Sequence, residues 1–235
     1  MPRGLVIFGI VAGVLVLGFF SMMVYILLAS SDADYWEGEI IAFERRDISN
    51  PPAPGSVVFV GGRDIRFWES LEQDLAPIPV VRRGFGGAHL AHLTQYVNRV
   101  IKPYAPKAVV VMAGDADLAD VHGRRPEDVL AEFKVFVSAV RAHNIHAPIY
   151  FISIKPSPMR EVRWLGAKRS NDLIAAYCES QRRLSFIDGA SAFIDEDGVI
   201  NEELFGWDGL TLNEAGYKLL AARVRPVLML DGLAP

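Results

Sequence analysis

The chain has 235 residues, with 24 basic and 28 acidic side chains and a formal net charge of −4. Its basic residues are scattered in short pairs such as Arg45-Arg46, Arg82-Arg83 and Arg124-Arg125, so there is no basic footprint for nucleic acid. The single cysteine, Cys178, excludes an internal disulfide in any compartment, and the length suits one globular domain.

From Leu5 to Ala29 the sequence LVIFGIVAGVLVLGFFSMMVYILLA holds no charge and no proline. As a helix it would rise about 37 Å, enough to cross a hydrocarbon core of roughly 30 Å. A water-soluble helix would show a polar face, and this one has none. The competing readings are a buried core helix and a signal peptide cut near Ala29-Ser30-Ser31, whose apolar region would be shorter, about 7–15 residues. The expectation is an uncleaved single-pass anchor. Arg3 precedes it, while Asp32, Asp34, Glu37 and Glu39 follow, with Arg45 and Arg46 at the edge of the relevant window. This sparse bias favours an inside amino terminus and an extracytoplasmic domain.

Tyr35 to Arg46 spaces Trp36, Ile40, Ile41 and Phe43 among charges, which predicts a short amphipathic helix ended by Pro51, Pro52 and Pro54. Five short apolar runs follow, SVVFVGG, IPVVRRGFGG, AVVVMAGD, PIYFISI and LSFIDG. Helical spacing is found between or after them in Glu127–Ala142, Asn171–Arg182 and Asn213–Val224. Strands apolar on consecutive residues, alternating with helices, predict a doubly wound α/β domain with a parallel sheet covered on both faces. The organisation expected is an anchor over residues 1–31 (spanning 5–29), a helix and Pro-rich connector over 32–55, and the α/β domain over 56–230. Sites in such sheets lie beyond the strands' carboxyl ends, in the loops starting at Gly61, Arg83, Gly114, Ile154 and Asp188.

Four of the blocks carry a family resemblance: Phe59–Trp68 (FVGGRDIRFW), Arg83–Ala88 (RGFGGA), Ala113–Asp117 (AGDAD) and Trp207–Tyr217 (WDGLTLNEAGY). In order and spacing they resemble the SGNH hydrolases, the GDSL-like lipases and esterases, from about Trp36 to the end of the last helix. The resemblance implies a three-layer αβα, flavodoxin-like, five-stranded parallel sheet and a serine ester-hydrolase site with no cofactor. Carried over residue by residue, it puts Arg63 at the nucleophile position, Ala116 at the oxyanion asparagine and Thr211 at the histidine base. Gly87, the backbone oxyanion donor, and Asp208, the acid that orients the base, are retained. An arginine cannot attack a carbonyl, a methyl group donates no hydrogen bond, and a threonine is no base near neutral pH.

These departures point to a catalytically inactive member that binds or scaffolds, with Arg63 and Asp208 paired across the former cleft. The alternative is an ester hydrolase with a non-standard site, for which His89, at the start of the helix after the glycine loop, is the one histidine placed to act as base. Two further readings remain open. Arg63 with the Gly86 and Gly87 amides would form a receptor for a small anionic, acylated or lipid ligand. Convergence of Asp64, Asp115, Asp117 and Asp208 would form a hard-cation site, although loop aspartates commonly satisfy backbone donors instead. A protein-partner module would show an exposed apolar patch over the cleft. Lys155-Pro156-Ser157-Pro158 resembles the family's loop after the fourth strand, which implies that it shapes one cleft wall, and Trp68, Trp164 and Trp207 belong to that cleft or, more commonly for aromatics, to core and rim.

Overall fold

The computed structural model describes residues 3–29, 32–119 and 124–234. Ser30 and Ser31, where a signal peptidase would cut, and His122 lie outside the described residues. The chain begins with the 27-residue helix α1 (Arg3–Ala29). Its described large apolar side chains between Ile10 and Tyr25, Leu15, Phe19 and Phe20 among them, are exposed. Among the described residues no helix is long and apolar enough to cross a membrane; part of the span expected from the sequence has side chains outside that set.

A turn at Ala33–Trp36 leads into α2 (Glu37–Ser49). The amphipathic pattern has the purpose its spacing implies, since Trp36, Ile40 and Phe43 enter the main core cluster. There follow β1 (Val57–Gly61), α3 (Arg63–Arg66), α4 (Leu71–Asp74), β2 (Val80–Gly84), α5 (Leu90–Gln95), α6 (Val97–Val100), β3 (Ala108–Met112) and α7 (Asp115–Ala119). The domain continues with α8 (Pro126–Ala142), β4 (Ile149–Ile152), α9 (Trp164–Glu179), β5 (Leu184–Ile187) and α10 (Glu214–Leu230).

All four strand pairings are parallel, in the order β2-β1-β3-β4-β5. The expected three-layer α/β architecture with a five-stranded parallel sheet is therefore present. Alternate strand residues feed the two layers: Val58, Val60, Val109 and Val111 pack with α2, α5, α6, α8 and α9. Val57, Phe59, Val110 and Met112 pack with Trp68, Leu71 and α10. Both layers being covered is why these strands are apolar on consecutive residues.

Chain direction reverses across the sheet between β1 and β3, because β2 lies on one side of β1 and β3 on the other. Such a switch point opens a crevice at the strands' carboxyl ends. Two glycines let α3 come down tightly there. A Cβ on Gly84 would overlap the Arg66 nitrogen and lie 2.5 Å from the Ile65 carbonyl carbon, and one on Gly61 would overlap the Met112 carbonyl oxygen. These obstacles are backbone and cannot rotate away. Gly84→Ala is expected to lower unfolding free energy by about 2 kcal/mol, measured by chemical denaturation of the full chain in detergent.

Candidate functional site

The crevice is built by four loops. Gly62, Arg63 and Asp64 follow β1; Gly87 and Ala88 follow β2; Gly114, Asp115 and Ala116 follow β3; Ile154, Lys155 and Arg160 follow β4. They enclose a cavity of about 60 Å3. Among the described residues lining it there is no serine, threonine, cysteine or histidine.

Arg63 is the first residue of α3, with its side chain at the cleft mouth. Its Nη1 lies 3.5 Å from Asp208 Oδ2 and 3.4 Å from Thr211 Oγ1. The structure thus brings together the three positions that the resemblance assigns to nucleophile, acid and base. Asp208 is held from its own loop as well. Its Oδ1 accepts the N–H groups of Leu210 at 3.0 Å and Thr211 at 2.9 Å, and its Oδ2 accepts the Thr211 hydroxyl at 2.7 Å. Burial opposes ionisation of Asp208, but the Thr211 and Leu210 amides, the Thr211 hydroxyl and the Arg63 charge outweigh it and keep the carboxyl below its ordinary range. The threonine hydroxyl donates its hydrogen bond to Asp208, the position that the resemblance assigns to the acid orienting the base.

Gly86 and Gly87 differ in their surroundings. A Cβ at Gly86 would collide with the Trp36 ring, whereas at Gly87 it would meet nothing within 4 Å, so Gly87 faces the open cleft. Ala116 lines the cavity with its methyl group.

The four aspartates weighed as a cation cage have separate partners. Asp115 is paired with Arg160, and Asp64 Oδ1 lies 3.3 Å from Lys155 Nζ. Asp117 is fully buried, and its carboxylate accepts the Leu90 N–H at 3.2 and 3.3 Å, tying the start of α5 to the third loop. Among the described residues no group of three ligating side chains fits a metal ion. His89 caps α5; its Nδ1 lies 3.9 Å from Asp117 Oδ1, and it does not line the cavity.

Two site residues were not anticipated from the sequence in these roles. Lys155 is buried; its ammonium donates to the Leu210 carbonyl at 2.7 Å and meets Asp64, so it joins the loop bearing Arg63 to the loop bearing Asp208. Arg160 reaches over the cavity to Asp115. The available hint was a lysine directly after the largely apolar run IYFISI, a place where a charge needs a partner. The tryptophans separate into three environments. Trp68 is fully buried, stacked on Tyr217 with ring centroids 5.4 Å apart. Trp164 is partly buried against the core, and Trp207 is fully exposed beside Asp208.

The sequence matches a model of the GDSL-like lipase/acylhydrolase family over residues 55–219. No curated protein matches it. Among solved structures, a candidate platelet activating factor from Streptococcus pneumonia superposes with a TM-score of 0.71 at 19% identity, covering 88% of this chain and 99% of that one. A GDSL-like lipase from Bacteroides thetaiotaomicron gives a TM-score of 0.67 at 16% identity, covering 82% and 98%. A family 3 carbohydrate esterase from Clostridium thermocellum gives 0.60 at 15% identity, covering 78% and 100%. At such identities these likenesses speak for the fold, and the family follows from the match over most of the chain: this protein belongs to the GDSL-like lipase/acylhydrolase family, the SGNH hydrolases.

Proposed function

We propose that the protein is a membrane-anchored SGNH-family domain that has given up ester hydrolysis and uses its cleft to bind a small anionic or acylated ligand. The observation that carries this is the Arg63 guanidinium, 3.5 Å from Asp208 and 3.4 Å from Thr211, at the position where a nucleophile would stand. A guanidinium is neither nucleophile nor base, yet it presents a planar fork to carboxylates and phosphates. Its contacts to Asp208 and Thr211 are long, and its side chain is 41% exposed, so an incoming anion can compete for it. Gly87, open to the same cleft, offers a backbone donor beside it. The anchor is supported by the apolar run from Leu5 to Ala29 and by the exposed apolar side chains of α1. The charge bias around the anchor favours an extracytoplasmic domain.

The test is an assay of the full chain in detergent on short activated acyl esters, beside an Arg63→Ser/Ala116→Asn/Thr211→His variant. No turnover above the uncatalysed background is expected from the unmodified chain, and a rate at least roughly hundred-fold above that background from the variant, the usual scale of a positioned base. Turnover by the unmodified chain that Asp208→Ala abolishes would instead establish an ester hydrolase with a non-standard site.

A further inference from the structure

The chain enters its α/β domain at the end of the sheet where the cleft opens. Trp36, in the turn just after α1, packs its ring directly on Gly86, in the loop beyond the carboxyl end of β2. The Asp32 N–H donates to the Ala29 carbonyl at 3.0 Å, and the stretch from Ala29 to Ala33 can reach no further than about 14 Å. The last residue of α1 is therefore held close to that end of the domain.

On the far side of the cleft, the same end carries an apolar patch. In the turn Pro158–Arg163 and the start of α9, Met159 is 67% exposed, Val162 93% and Leu165 80%, and Trp207 is fully exposed. The Met159 N–H donates to the Gly209 carbonyl at 3.1 Å, joining that turn to the loop of Trp207 and Asp208. Arg160, between these apolar residues, lines the cleft itself. The turn carrying Met159 and Val162 follows β4, three strand spacings, about 14 Å, from β2, so the chain's entry point and that part of the patch lie on opposite sides of the cleft mouth.

We infer that this end of the domain is seated on the bilayer crossed by the anchor, with Met159, Val162, Leu165 and Trp207 in the interfacial layer and the cleft opening toward lipid headgroups. The inference rests on the anchor proposed above. A short tether leaves the domain little freedom to turn another face to the membrane. Tryptophan with aliphatic neighbours suits the interfacial layer, and Arg163, exposed within the patch, suits anionic headgroups. The ligand of Arg63 is then a lipid headgroup reached from the membrane side.

The experiment places single cysteines in the full chain with Cys178→Ala, at Leu15→Cys, Val162→Cys, Trp207→Cys and Gln181→Cys. Gln181 is exposed before β5, at the opposite end of the sheet. Each variant is labelled with an environment-sensitive fluorophore and reconstituted into phosphatidylcholine/phosphatidylglycerol vesicles, with or without acyl-chain spin-labelled lipid. Strong quenching is expected at position 15, and quenching at 162 and 207 roughly threefold or more above that at 181. Quenching at 162 and 207 no greater than at 181, with position 15 quenched, keeps the anchor and overturns the seating. An unquenched position 15 removes the anchor and the seating with it. Labels at 162 and 207 shielded from aqueous iodide but untouched by lipid quencher would put a protein over the patch, which also overturns the inference.

Discussion

Lys155→Met is expected to destabilise the full chain by about 3–5 kcal/mol at neutral pH, and Asp64→Asn in the same chain is expected to restore most of that loss. Asp64 is 12% exposed at its side chain and Lys155 5%, so neither can turn to water if its partner goes. Burial already pushes the Asp64 carboxyl above its ordinary range, with Lys155 the leading influence in the opposite direction. Removing the ammonium leaves a buried carboxylate that must either stay charged at great cost or take up a proton. The penalty should therefore shrink as pH falls and Asp64 is protonated in the variant's fold. Thermal unfolding of the single and double variants at neutral and mildly acidic pH measures it. A single variant as stable as the unmodified chain at neutral pH, or a double variant no better than the single, would show that the pair contributes nothing. The consequence reaches the cleft, because Lys155 also holds the Leu210 carbonyl at 2.7 Å and so fixes the distance between the Arg63 and Asp208 loops.

That staple also marks where sequence patterns stop being informative. The strands were legible because Val57–Gly61 and Ala108–Met112 are apolar throughout, a pattern few other settings produce. Helix boundaries were less so. Helix α9 begins at Trp164 rather than Asn171, since its first turns expose Leu165 and bury the small residues Ala167 and Ser170, which blurs the apolar spacing. Helix α10 runs through Pro226 to Leu230, beyond the expected end at Val224, with Leu228 buried on its core face; packing there outweighs the local preference against an internal proline. The Arg63–Asp208 pair could be anticipated because the block order puts the two positions on neighbouring loops. The partners of Lys155 and Arg160, Asp64 and Asp115, left no such trace, being contacts between distant segments. Asp117 likewise had an intelligible place in its block, but only the fold shows that its carboxylate holds the Leu90 N–H.

Asp117 carries the other large expectation: the melting temperature of the full chain should rise as pH is lowered from about 8 to 5, and Asp117→Asn should reduce that rise, to which Asp64, also raised by burial, contributes in the same sense. Burial, opposed by the Leu90 N–H and the charge of Arg124, pushes this carboxyl up to about 7, against 3.8 for the ordinary side chain. A group whose folded pKa is raised binds its proton more tightly in the fold, so its stabilising contribution is complete below the unfolded value and is lost as pH climbs through the folded one. The window is thus about pH 4 to 7. The difference corresponds to about 4 kcal/mol at most, or roughly 10 °C for a domain of this size. Carboxyls that the fold depresses, such as Asp208 and Glu44, act in the opposite sense and only under more acidic conditions, so they do not obscure it. His89 Nδ1 lies 3.9 Å from Asp117 Oδ1, so the difference between the aspartate and asparagine profiles reports Asp117 together with this contact. Superimposable profiles would show that Asp117 does not titrate in this range. The Asp117–Leu90 hydrogen bond anchors the helix start just beyond Gly86 and Gly87. On the proposed reading, ligand affinity at the cleft should follow the same titration, since the loop that would offer Gly87 to an anion is held by the group that changes charge.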